Sequence, residues 1–92
     1  MSKTKVLENE YLAVFKSQNH AIYLYGILNK KGIQIKIIQT PCKISTSCTH
    51  SIKFKEKYIN IIINEIKNSG IKIRGIYKII VHEGKKEYEK IY

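Results

Sequence analysis

The stretch LNKKGIQIKII, residues 28–38, returns in pattern as IKNSGIKIRGI, residues 66–76. In each copy a glycine follows a helical pattern and precedes alternating apolar and polar residues, and the two glycines, Gly32 and Gly70, lie 38 residues apart. A glycine after an apolar-periodic run is typical of a helix C-terminus, and the alternation is typical of a strand. The chain is therefore predicted to contain two β-α-β halves in tandem.

The segments before each glycine extend the match backward. Residues 11–16 (YLAVFK) indicate a strand, and Ser17 is a natural N-cap for a helix over residues 18–31. Residues 33–38 predict strand two, 51–54 a short strand three, 56–69 the second helix and 71–80 strand four, with Gly75 at a bulge or a close-packing point.

This order of elements predicts an α+β fold, the ferredoxin-like β-α-β-β-α-β sandwich, with a four-stranded antiparallel sheet. Each helix has one apolar stripe, so both helices are expected on one face of the sheet. The other face is expected to be solvated or covered by a partner. The partners considered include a second copy of the chain, which would form a homodimer. Residues 1–92 are predicted to be a single domain with its core at about 10–80, and the charged tail, 81–92, is expected to be frayed or a short helix.

The composition restricts the function classes. The net charge is +10, but 16 of the 17 basic residues are lysines, which suit bidentate phosphate and base contacts less well than arginine. We therefore expect nucleic-acid binding to be absent, or weak and non-specific. No apolar run approaches the length of a membrane span, and the N-terminus does not have the pattern of a secretory signal, so a cytoplasmic protein without membrane contact is expected.

One loop differs from the rest of the chain. The stretch TPCKISTSCTH, residues 40–50, contains both cysteines and the only proline, and the connection takes about twelve residues where a hairpin needs two to five. Loops longer than their geometry requires tend to be functional. One histidine near a C-x5-C pair is a poor basis for a zinc site, so neither a metal nor a cofactor is predicted.

The chemistry of this loop centres on Cys48. Three hydroxyl residues precede Cys48, and backbone N–H groups of a turn there, with Lys43, Lys53 or a cationic His50 nearby, would lower the pKa of its thiol. On the residues alone, the alternative that Cys48 is a small buried hydrophobe remains open. A disulfide between Cys42 and Cys48 also remains open, because five intervening residues can bend back on themselves.

The order of these motifs resembles a bacterial family of selenium/sulfur carrier-like proteins. The segments VFKSQNHA (14–21), KGIQIKIIQTPCKISTSC (31–48) and SIKF (51–54) follow the family's pattern at the same spacing, and the resemblance covers about residues 10–80. Its most specific part is Pro-x-x-Ile-Ser-x-x-Cys, which ends at Cys48. The chain departs from the pattern at Cys42, where the family has arginine, and at Thr49, where it has glycine.

The resemblance implies a function for the loop. Cys48 would accept sulfur or selenium, supported by Pro41, Cys42, Ser45, Ser47 and His50. The partners would be donor proteins of the cysteine-desulfurase type and acceptor proteins, and the chain would be a carrier or accessory protein rather than a free-standing enzyme. The alternative is a binding or regulatory module with a structural or redox-sensing cysteine, and the reactivity of Cys48 distinguishes the two.

Overall fold

The computed structural model describes residues 9–45 and 50–92, which form an α+β fold with one antiparallel sheet and two helices. The strands lie in the order β2-β3-β1-β4-β5, and each neighbouring pair is antiparallel. The elements are β1 (Glu10–Phe15), α1 (Gln18–Lys30), β2 (Lys36–Gln39), β3 (His50–Lys55), a 3-10 turn (Glu56–Tyr58), α2 (Ile59–Ser69), β4 (Ile73–His82) and β5 (Lys85–Lys90).

Helix α1 begins and ends where its capping residues predict. The Ser17 hydroxyl accepts a hydrogen bond from the Asn19 backbone N–H at 3.2 Å, which satisfies one of the donors left over in the first turn. At the other end Gly32 has a φ of 79°, and the Ile33 N–H donates to the Leu28 carbonyl at 3.2 Å. This is the hydrogen-bond pattern of a Schellman C-cap, which requires a left-handed residue at Gly32.

The core lies on one face of the sheet, which we call the core face. Ala13 of β1 is in register with Ile52 of β3 and with Ile76 of β4, so these three side chains share that face. One hydrophobic cluster joins them to buried side chains of both helices, namely Ala21, Leu24 and Leu28 of α1 and Ile62 and Ile66 of α2. The apolar stripes identified in the sequence are therefore the buried faces of the helices.

The prediction of four strands is wrong, because the sheet has five. The charged segment predicted to be a frayed or helical tail instead completes β4 and forms β5, which pairs with β4 from Tyr77↔Lys90 to His82↔Lys85. Residues 85–90, KKEYEK, have no apolar alternation because β5 is an exposed edge strand held by backbone pairing. Glu83 and Gly84 form the turn between the two strands, and both have positive φ, as a two-residue hairpin turn of this type requires. The sequence signal for this turn was Gly84.

The opposite face of the sheet is covered at its centre by the chain itself, which corrects the expectation of an open face. Leu12 and Val14 alternate with the core-face residues of β1, yet they are 1% and 0% exposed, and Ser51, in register with Val14, is 0% exposed. Gly75, also opposite Val14, is the predicted close-packing point. A Cβ atom there would lie 2.8 Å from Lys90 Cε and 3.1 Å from the Tyr92 carbonyl oxygen.

Candidate functional site: the cysteine loop

The two ends of the loop, here called the cysteine loop (residues 40–49), are joined by a buried pair of hydroxyl groups. Thr40 directly follows β2 and Ser51 is the second residue of β3, and their hydroxyl oxygens lie 2.6 Å apart in a hydrogen bond. Both residues are buried, at 4% and 0% exposure. Because Ser51 lies on the face opposite the core, Thr40 starts the loop on that side of the sheet.

The first half of the cysteine loop is a tight turn. The Pro41 carbonyl accepts hydrogen bonds from the Ile44 N–H at 2.9 Å and from the Ser45 N–H at 3.1 Å. Three of the predicted supporting residues, Pro41, Cys42 and Ser45, are therefore brought together in one turn. Cys42 is exposed and free, so its thiol is open to reagents and to partner proteins.

Lys43 connects this turn to the far edge of the sheet. Its ammonium Nζ donates to the Lys86 carbonyl of β5 at 2.8 Å and lies 3.7 Å from the Glu87 carboxylate. Strands β2 and β5 are the two edges of the sheet, so the chain leaves β2 and reaches the opposite edge within a few residues. The other cation considered for the cysteine, Lys53, has its Nζ 3.9 Å from the Glu10 carboxylate of β1.

The second half of the loop includes Ser47 and the predicted acceptor Cys48, which lie outside the described residues 9–45 and 50–92. Their roles therefore remain predictions. The next described residue is His50, the first of β3, which pairs with Gln39. It lies two residues before Ile52 on the same strand, so its side chain belongs to the core face. Its Nδ1 atom is buried and has no hydrogen-bond partner among the described residues, as is also true of His20 Nδ1 in the first turn of α1.

A groove of about 650 Å³ lies between the end of α1, the start of β2, the first residue of β1 and the last residues of β3. Its lining includes Phe54 and the charged residues Glu10, Lys36, Lys53 and Lys55. Of the predicted supporting residues that the structure describes, Pro41, Cys42, Ser45 and His50 do not line this groove, whereas Lys53 does. In the part of the chain that the structure describes, no three histidine, cysteine or acidic side chains cluster as ligands of a metal ion would.

A family model described as "Putative Se/S carrier protein-like" matches residues 10–78. The chain belongs to this family. The matched range begins with the first residue of β1, includes the whole cysteine loop and ends within β4. The comparison with curated proteins and the comparison with solved structures found no match.

Membership in the family agrees with the resemblance found in the sequence. Among residues 9–45 and 50–92, neither helix combines the length and the apolar character that crossing a bilayer requires.

Two features of the site were not predicted from the sequence, namely the Thr40–Ser51 pair and the contact of Lys43 with β5. The hydroxyl pair had a signal in the sequence, because Thr40 is the first residue of the loop and Ser51 lies just after its end, whereas the Lys43 contact required knowledge of a fifth strand.

Proposed function

We propose that this protein carries sulfur or selenium as a persulfide or selenopersulfide on Cys48. The observation that carries the proposal is the family match over residues 10–78, which includes the cysteine loop. Cys48 stands at the end of the segment Pro41-x-x-Ile44-Ser45-x-x-Cys48, the part of the chain that most specifically resembles the family.

The transfer step needs only one nucleophilic sulfur. The Cys48 thiolate attacks the outer sulfur of a persulfide on a donor protein, so that a new S–S bond forms as the S–S bond of the donor breaks. The donor cysteine leaves as a thiolate, and the outer sulfur keeps its proton and its oxidation state. One negative charge enters the step and one leaves it, so no external oxidant or reductant is required. A selenium atom in the outer position follows the same path.

The described half of the loop supports this chemistry. A carrier must meet two macromolecules in turn. Cys42 and Lys43 of the turn Pro41–Ser45 are exposed, while both ends of the loop are fixed by buried hydroxyl groups. The net charge of +10 favours encounter with acidic donor and acceptor proteins, of which a cysteine desulfurase is the expected donor class. The proposed location is the cytoplasm, where thiols are kept reduced.

We also infer that β1–β4 and the two helices form a ferredoxin-like unit to which β5 is added. In this arrangement the cysteine loop is the connection between the two β-α-β halves. The repeat seen in the sequence would then position the loop at the junction of the halves, with β5 extending the edge formed by β4.

The test is the intact mass of the protein after incubation with a cysteine desulfurase and cysteine. One transferred sulfur adds about 32 Da, and we expect this addition in the wild-type protein and in Cys42→Ser but not in Cys48→Ser. The Cys42→Ser variant is the matched control, because it removes the other thiol of the same loop. Equal loading of wild type and Cys48→Ser, or no loading of either, would contradict the proposal.

Intact mass, measured after mild oxidation as well as after incubation with the desulfurase, distinguishes the alternative of a regulatory module with a redox-sensing cysteine pair. Mild oxidation of such a module would remove the mass of two hydrogens as Cys42 and Cys48 form a disulfide, and it would take up no sulfur from the donor. Persulfide formation without a disulfide under the same conditions supports the carrier.

A further inference from the structure

The contacts of Lys43 link the cysteine loop to a strand that lies after the matched range of the family. Lys86 and Glu87 both belong to β5, beyond residue 78. We propose that Lys43 is a positioning residue, which fastens the cysteine loop across the opposite face of the sheet to β5 and so presents Cys48 to its donor. The part concerning Cys48 rests on the proposed carrier function.

The first support is the path of the chain. Thr40 is held on the opposite face by its bond to Ser51, in the second strand from one edge of the sheet. Three residues later, Lys43 contacts the strand at the other edge. With Leu12 and Val14 fully buried on this face, the segment beginning at Thr40 is fixed at two widely separated points above the sheet.

The second support is the type of acceptor. Lys43 donates to a backbone carbonyl of an edge strand, and such strands have carbonyl groups without a strand partner. A carbonyl acceptor has a fixed position, whereas the Glu87 carboxylate, 61% exposed and 3.7 Å away, is a screened partner that adds little. The contact is therefore defined mainly by geometry, and it should persist in salt.

The third support comes from the charge itself. The Lys43 ammonium is directed to the Lys86 carbonyl of β5. It acts by holding the backbone of the loop, rather than by lowering the pKa of the Cys48 thiol. A positioning residue of this kind changes the rate of transfer from a protein donor and leaves the pH midpoint of alkylation by a small reagent unchanged.

The test compares Lys43→Met with Lys72→Met, which removes the same charge from an exposed residue between α2 and β4. Amide exchange at Ile44 and Ser45 is expected to rise about fivefold in Lys43→Met and to be unchanged in Lys72→Met. Sulfur loading of Cys48 by the desulfurase is expected to fall about fivefold in Lys43→Met alone, with the same pH midpoint for iodoacetamide alkylation of Cys48. Lys43→Arg, which keeps the donors, should restore part of both, and Glu87→Gln should stay close to wild type.

Equal exchange and equal loading in Lys43→Met and Lys72→Met would overturn the proposal. A higher pH midpoint for Cys48 in Lys43→Met would overturn it too, because Lys43 would then act through its charge. If the wild-type protein takes up no sulfur, the carrier function fails, and the amide exchange of the two variants still decides whether Lys43 fastens the loop.

Discussion

The buried hydroxyl pair at the base of the cysteine loop allows a quantitative prediction. Thr40 and Ser51 share one hydrogen bond of 2.6 Å, and Thr40 also takes part in a further interaction. Ser51→Ala removes one bond and leaves Thr40 with its other interaction, so we expect the free energy of unfolding to fall by about 1 kcal/mol. Thr40→Val instead leaves the Ser51 hydroxyl, fully buried, without this partner, and should cost about 2 kcal/mol.

The double variant separates the bond from other effects of the two substitutions. With both hydroxyls removed, no buried polar group is left unpaired by the loss of this bond, so the cost should be smaller than the sum of the single costs by about 1 kcal/mol. Urea unfolding followed by circular dichroism measures the free energy of unfolding of all four proteins. In thermal unfolding, Ser51→Ala alone should lower Tm by roughly 4–8 °C. Strict additivity, or a Ser51→Ala variant as stable as wild type, would refute the view that this bond anchors the loop.

Three further predictions concern the C-terminal pairing, the thiols and the surface charge. Gly75→Ala should lower the free energy of unfolding, measured in urea, by about 1–2 kcal/mol, because its Cβ would press on the Tyr92 carbonyl. Gly26→Ala, in open space on α1, should raise it by up to about 1 kcal/mol. Loss of stability in both variants would contradict this reasoning. Iodoacetamide should label Cys48 about tenfold faster than Cys42 at neutral pH, read by peptide mass, and equal rates would contradict a lowered pKa of the Cys48 thiol. Binding to RNA or DNA should be weak and should disappear by about 0.2 M salt, and a specific complex that survives this salt concentration would contradict it.

Among the described residues up to about residue 80, the type and order of the elements could be predicted because periodicity and capping agreed with each other, although strand two begins at Lys36 rather than at the predicted residue 33. Ser17 and Gly32 mark the ends of α1 in both sequence and structure, and the apolar stripe of this helix is its buried face. β5 was missed because hydrophobic alternation reports burial, and an exposed edge strand such as KKEYEK is held by backbone pairing. The dipeptide Glu83-Gly84 is a weaker sequence signal for a two-residue turn than the usual Asn-Gly, because both residues must adopt positive φ and glutamate does so less readily than asparagine.

For the cysteine loop, the sequence supported the assignment to the family, whereas the contacts of the loop could not be predicted from it. The segment from Pro41 to Cys48 carried the family resemblance, and the family match includes it. The positions of Thr40 and Lys43 depend on long-range geometry, namely on which face Ser51 occupies and on the presence of β5 at the far edge. A motif contains no record of such contacts, because their partners are separated from it by up to 43 residues.

Both faces of β1 are buried, so contacts on either face of the sheet can affect the stability of the whole domain. A chain of 92 residues has little apolar surface to bury, and here the central strand packs Ala13 and Phe15 against the core while Leu12 and Val14 are covered on the other side. Two contacts of the cysteine loop, at Ser51 and at β5, are made on or across that second side. A substitution in β5 that removes the contact with Lys43 is therefore expected to alter the turn Pro41–Ser45 although it is distant in sequence, because this contact is the observed link between the turn and the last hairpin.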